Sequence, residues 1–114
     1  MPFLKIQTNQ ALDDSVQQSL IKKASAIVAG QLGKPENYVM VILQPSQTML
    51  FAGTDSPLAF LELKSIGLPE PVIQNLSDSL CTLMAQELDI EKNRTYIEFT
   101  DAPRHMWGWN GGTF

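Results

Sequence analysis

The pattern of this chain occurs twice. Phe3-Leu4-Lys5-Ile6-Gln7-Thr8 is matched by Phe60-Leu61-Glu62-Leu63-Lys64-Ser65, and Lys34-Pro35-Glu36-Asn37-Tyr38-Val39 by Lys92-Asn93-Arg94-Thr95-Tyr96-Ile97, at offsets of 57 and 58 residues. A helical segment of similar length separates the matched strands in each copy. In the first, Val16, Leu20, Ala24, Ile27 and Val28 recur at helical spacing, with Asp13, Asp14 or Ser15 available as the N-cap and Gly33 as the stop. In the second, Val72, Leu76, Leu80, Leu83 and Met84 form the stripe, Pro69 and Pro71 suit the first turn, and Asp89 follows the last apolar residue, Leu88. Each copy therefore reads β-α-β, and such a crossover lays its two strands parallel and right-handed. Two copies predict an α/β (α+β) fold: a four-stranded mixed sheet with two helices on one face, in a single domain over residues 1–114, with repeats at about 2–45 and 58–101.

The faces of that sheet carry a second constraint. With both helices on one face, the other should be polar. In Tyr38-Val39-Met40-Val41-Ile42-Leu43 both alternating sets are apolar instead, the mark of a strand covered on both sides. Two helices cannot cover two faces, so the second layer is expected from another copy of the chain. The segment from Met49 to Pro57 reads as a short strand or loop joining the copies. The tail Gly108-Trp109-Asn110-Gly111-Gly112-Thr113-Phe114 is glycine-rich yet aromatic, and is expected to pack rather than float.

Charge narrows the partners. A net charge of −4, with eight basic residues scattered along the chain, offers no electrostatic footprint for nucleic acid or an anionic membrane. The longest apolar run is far too short to span a bilayer, and the N-terminus lacks the basic flank and small-residue cleavage site of a signal peptide, so a cytoplasmic location is expected. The single cysteine, Cys81, excludes an internal disulfide and a cysteine-only metal cage. It lies on the apolar side of the second helix and is expected to be a buried thiol. No metal site and no cofactor are predicted.

Chemistry concentrates at the start of the chain. Pro2 heads the first strand, and an initiator methionine before so small a residue is normally trimmed, leaving a secondary amine. An α-amine titrates at about 7.7–8.0. A low-dielectric wall or a neighbouring cation lowers that value, and a neutral, basic amine suits a general base. Lys34, read alone, is a solvated lysine after the first helix.

Pro2 heading a strand, Gly33-Lys34-Pro35 ahead of Tyr38, Ser65-Ile66-Gly67 after the third strand, Tyr96-Ile97 in the fourth, and Gly108-Trp109-Asn110 with a terminal Thr113-Phe114 together resemble the macrophage migration inhibitory factor family, a branch of the tautomerase superfamily. The resemblance runs from Pro2 to Phe114. It implies a cofactor-independent keto–enol tautomerase of the phenylpyruvate or dopachrome type, acting on a small aromatic α-keto acid or similar substrate, and a homotrimer with active sites between subunits. Pro2 would be the general base. Lys34 would hold the substrate carboxylate or enolate oxygen and depress the Pro2 pKa. Ile66 would meet the substrate oxygens through its backbone N–H, with Ser65 beside it. An apolar slot would come from Phe3, Tyr38, Met40, Tyr96, Trp107, Trp109 and Phe114, with Tyr96 supplied by the adjacent chain and Met40 assigned to ordinary core packing. Lys92, aligned with Lys34 in the second copy, serves as a control with no terminus beside it.

Two departures from the family pattern stand out. Leu58-Ala59-Phe60-Leu61 replaces a Cys-x-x-Cys pair, so thiol-disulfide exchange is not expected. Glu98 stands where well-known members carry asparagine at the pocket, as an anion that repels acidic substrates, a second acid-base group, or a solvent-facing residue. His105, a lone histidine in a loop beside Arg104, receives no role. An alternative reading keeps the fold and makes the pocket a surface for MIF-like signalling or protein binding. Another makes the chain a small-ligand regulatory module, which would not need a base and a cation together.

Overall fold

Local capping sets where each helix begins and ends. In the computed structural model, which describes Met1–Phe114, helix α1 spans Asp14–Leu32 and starts on Asp13, whose side chain accepts a hydrogen bond from the Val16 amide at 2.9 Å. It stops at Gly33, in the left-handed region with φ 63°. Helix α2 spans Glu70–Leu88, follows Pro69 with Pro71 in its first turn, and ends on Asp89, also left-handed. The strands are β1 (Phe3–Thr8), β2 (Met40–Gln44), β3 (Ala59–Ser65) and β4 (Thr95–Asp101), in the order β2-β1-β3-β4. β1 runs parallel to β2 and β3 parallel to β4, while β1 and β3 pair antiparallel at the centre. The sheet is thus mixed: each crossover makes its own pair parallel, and the two copies meet antiparallel.

Both helices lie on one face. Leu4 and Ile6 of β1 and Leu61 and Leu63 of β3 alternate into a core shared with Leu20, Ala24 and Val28 of α1 and Leu76, Leu80 and Met84 of α2, all fully buried. Each such leucine stabilises the fold by about 1.5–3 kcal/mol relative to exposure. The buried Thr8 hydroxyl donates to the Leu58 carbonyl at 2.8 Å, so its burial leaves no orphan group.

The open face is mixed rather than wholly apolar. Phe3, Met40, Ile42, Phe60 and Tyr96 share it with Lys5, Gln7, Glu62, Lys64, Glu98 and Thr100. Only β2 is apolar on both sides, and it begins at Met40, two residues later than its pattern suggests, because Glu36–Tyr38 closes into a 3-10 turn. Met40 is 61% exposed, so its expected place in the core is corrected. Cys81 is half-buried rather than a core thiol, and partial burial pushes its pKa up.

The alignment of the two copies also shifts. Helix starts, left-handed caps, 3-10 turns and the strand partners Met40 and Tyr96 all correspond at a spacing of 56 residues. The counterpart of Lys34 is therefore the fully buried Ile90, not Lys92, which pairs with Asp78 on the surface. The same corner of the fold is apolar filler in one copy and a cation in the other.

The segment joining the copies is tied down by Arg94. Its guanidinium donates to the carbonyls of Phe51, Thr54, Ser56 and Pro57 and covers the Phe51 ring at 5.2 Å. The tail folds as a hairpin of β5 (Gly108–Trp109) and β6 (Gly112–Thr113). Asn110 and Gly111, both at positive φ, form its two-residue turn.

Candidate active site

Pro2 is fully buried where β1 begins, and its carbonyl accepts from the Met40 amide at 3.0 Å, which holds the chain start against β2. Around it opens a cleft of about 410 Å³ lined by Met1, Pro2, Phe3, Asn37, Tyr38, Val39, Met40, Lys64, Trp107, Gly108, Trp109 and Phe114. A second recess of about 320 Å³ adjoins it through Met1, Tyr38 and Phe114 and adds Lys34, Pro35, Ile66 and Arg104. The aromatic wall is assembled by the tail hairpin: Trp109 stacks on Phe114 with ring centroids 5.6 Å apart and meets Tyr38 edge-on at 5.9 Å. The terminal Phe114 amide donates to the Trp107 carbonyl, closing the hairpin over the cleft.

Lys34 reaches this recess because the left-handed turn at Gly33 throws the chain back across the sheet end. Its ammonium donates to the Ser65 hydroxyl at 3.0 Å and to the Ile66 carbonyl. Ser65 is fully buried and so orients Lys34 rather than facing the recess. An ammonium carries three donors, so one is left for a ligand. The Ile66 amide has no acceptor within the chain. Asp101 fixes the following turn by accepting from the Gly67 amide at 2.9 Å.

Electrostatics here favour a neutral amine. The Met1 α-amine is pushed down from 8.0 to about 6, first by burial, then by the Lys34 ammonium beside it, with a smaller push from Arg104. Neither recess has an Asp or Glu side chain in its wall.

Two predicted site residues lie elsewhere in the protomer. Tyr96 pairs with Phe60 and Phe3 with Lys64, which puts Tyr96 two strands over and four rungs, roughly 13 Å, along the sheet. There it packs on Phe51 at 4.5 Å and lines a separate, wholly apolar hollow of about 520 Å³. Glu98 lies on the open face beside Glu62, which is paired with Lys5 at 3.4 Å; the protomer does not bring it to the Pro2 cleft. Sequence reasoning missed Arg104, Asn37 and Lys64. Arg104 sits too far along the chain from Lys34 for any local motif to link them, although the Pro103 before it is a fair turn signal. No three His, Cys, Asp or Glu side chains come together as a metal site, and no helix is long and apolar enough to cross a membrane.

Comparison with known proteins points one way. A family model described as macrophage migration inhibitory factor matches residues 1–114. The macrophage migration inhibitory factor homolog of Brugia malayi is 44% identical over 115 residues, spanning all of this chain and 99% of that protein. The macrophage migration inhibitory factor of Mus musculus is 36% identical over the same shares. Among solved structures, the homologue from Prochlorococcus marinus superposes with a TM-score of 0.93 at 40% identity, covering 98% of each chain. The Toxoplasma gondii protein gives 0.93 at 32% identity, covering 98% of this chain and 99% of its own.

Proposed function

Because the chain belongs to the macrophage migration inhibitory factor family, we propose that it is a cofactor-independent keto–enol tautomerase of aromatic α-keto acids such as phenylpyruvate, with Pro2 as the general base once Met1 is removed. With Met1 in place the Pro2 nitrogen is a tertiary amide and has no basicity. Removal leaves a secondary amine in the buried position Pro2 already holds. The observation that carries the reading is this juxtaposition: the chain start sits at the floor of an aromatic cleft, beside a lysine, where burial and charge drive the amine at that terminus toward its neutral form.

The Pro2 nitrogen takes a proton from the carbon beside the substrate carbonyl, and negative charge grows on the carbonyl oxygen. Lys34 and the free Ile66 amide stabilise that charge. The protonated Pro2 then delivers its proton to the enolate oxygen to give the enol, and the reverse sequence ketonises it. Tyr38, Trp109 and Phe114 hold the aromatic ring and keep the dielectric low around the base.

The assembly we propose is a homotrimer. Met40, Ile42, Leu50 and Tyr96 are 61%, 39%, 71% and 64% exposed on one protomer, more apolar surface than a lone chain usually leaves open. Their placement on the open face and its edge supports a neighbour there, whose Tyr96 would complete the Pro2 cleft.

An ultraviolet enol–keto assay with phenylpyruvate and 4-hydroxyphenylpyruvate tests the activity, on protein whose N-terminus is verified by mass spectrometry. Trimmed protein turns both over, and Pro2→Ala or retained Met1 abolishes most of the rate. Full activity from a sample wholly retaining Met1 overturns the mechanism.

A further inference from the structure

The chain is acidic, with twelve Asp and Glu against eight Lys and Arg, yet the side chains lining the two joined recesses include Lys34, Lys64 and Arg104 and no Asp or Glu. The two arginines have opposite fates. Arg94 spends its guanidinium on four backbone carbonyls. Arg104 makes no side-chain hydrogen bond and no ion pair, although it lines the recess with Lys34 and Ile66.

Its backbone is nevertheless fixed. The Ala102 amide donates to the Ser65 carbonyl at 2.9 Å, which ties this segment to the strand end that also holds Lys34. The 3-10 turn Arg104–Met106 is closed by the Met106 amide on the Pro103 carbonyl and the Trp107 amide on the Arg104 carbonyl. The one carboxylate close in sequence, Asp101, is engaged with the Gly67 and Leu68 amides. An unspent guanidinium on a hydrogen-bonded turn beside an ammonium with one donor left is suited to an anion with two oxygens.

We propose that Arg104 and Lys34 form a two-cation clamp for the substrate carboxylate, so that the cleft selects free acids over their esters. One carboxylate oxygen accepts the remaining Lys34 proton and the other the Arg104 fork, while the aromatic body lies against Tyr38, Trp109 and Phe114. The clamp deepens the tautomerase reading and rests on it for the identity of the substrate, but binding can be measured without turnover.

The probes are 3-phenylpropanoate and its methyl ester, which carry the acid, the ester and the ring but no keto group. Both tryptophans of the chain, Trp107 and Trp109, line the cleft, so quenching of their fluorescence reports occupancy. Arg104→Gln weakens the acid about tenfold and the ester less than about twofold, since a hydrogen bond to a charged group is lost for the acid only. Arg104→Lys restores most of the acid affinity. With phenylpyruvate the Gln variant raises KM and leaves kcat nearly unchanged, a split that a merely structural role would not produce. Equal losses for acid and ester, or no loss for either, overturn the clamp. If the wild type binds the acid in this Arg104-dependent way but never turns phenylpyruvate over, the tautomerase reading fails and the clamp stands.

Discussion

A proline nitrogen works as a base only when nothing acylates it and its proton is held weakly, and the first condition is chemical while the second is structural. The rate requires the unprotonated amine, so kcat/KM climbs with pH until the Pro2 pKa is passed. Burial and then Lys34 depress the Met1 amine, and the Pro2 amine that replaces it, deeper in the same surroundings, is expected to be depressed by the same two causes. Removing a neighbouring cation raises an amine pKa, so Lys34→Ala shifts the acid limb to higher pH. The shift is partial, because burial is the larger cause. A pH–rate profile on trimmed protein measures both. Glu98 belongs to the open face, beside Glu62. Replacing it with Gln removes a like-charge neighbour and stabilises the fold by about 0.2–1 kcal/mol, read as a small rise in Tm. Cys81→Ser leaves turnover unchanged in the same assay, since the thiol lies on α2 and lines neither recess.

At the level of elements, the caps are where sequence and structure correspond most directly. Asp13 is held below the ordinary aspartate range, first by the Val16 amide and then by Ser15. A depressed carboxyl contributes stability above its unfolded pKa and loses it as pH falls through the folded one. Asp13→Ala therefore lowers the urea midpoint at pH 7, and the gap from wild type closes in acid below the aspartate range. The two helix stops make a paired test. Gly33 and Asp89 both sit at positive φ, where a side chain costs roughly 1–2 kcal/mol. Gly33→Ala is thus destabilising and Asp89→Gly stabilising, each measurable by thermal unfolding. Helix spans, both stops and the β1 and β3 strands were legible because their signals lie within a few residues of each other. The start of β2 was not, since the 3-10 turn at Glu36–Tyr38 keeps strand-like residues out of the ladder.

For the whole molecule, the site is divided between what one protomer holds and what it lacks. Pro2, Lys34, Ile66, Tyr38, Trp109 and Phe114 converge within one chain, while Tyr96 lies at the far end of the sheet. Light scattering at micromolar concentration is expected to give a trimer, and Ile42→Glu, which puts a charge on the open face of β2, to break it. A monomeric wild type overturns the assembly. If Tyr96 serves a neighbour's cleft, inactive Pro2→Ala protein refolded together with Tyr96→Ala protein recovers part of the activity, because mixed trimers pair an intact Pro2 with an intact Tyr96. No recovery means that Tyr96 only packs on Phe51.

By itself the sequence determined the duplicated β-α-β order, the helix limits and the chemistry available at Pro2 and Lys34, because periodicity, capping and the reactivity of a terminal amine are local properties. Only the tertiary structure decided which basic residues face the cleft. Arg94 and Arg104 look alike in the sequence, but one is consumed by the carbonyls of the joining loop and the other stands free beside Lys34. It also decided that the counterpart of Lys34 is buried Ile90 rather than Lys92, since the correspondence of the copies is set by caps and strand register, and a residue or two in the loops shifts a sequence match without moving the fold.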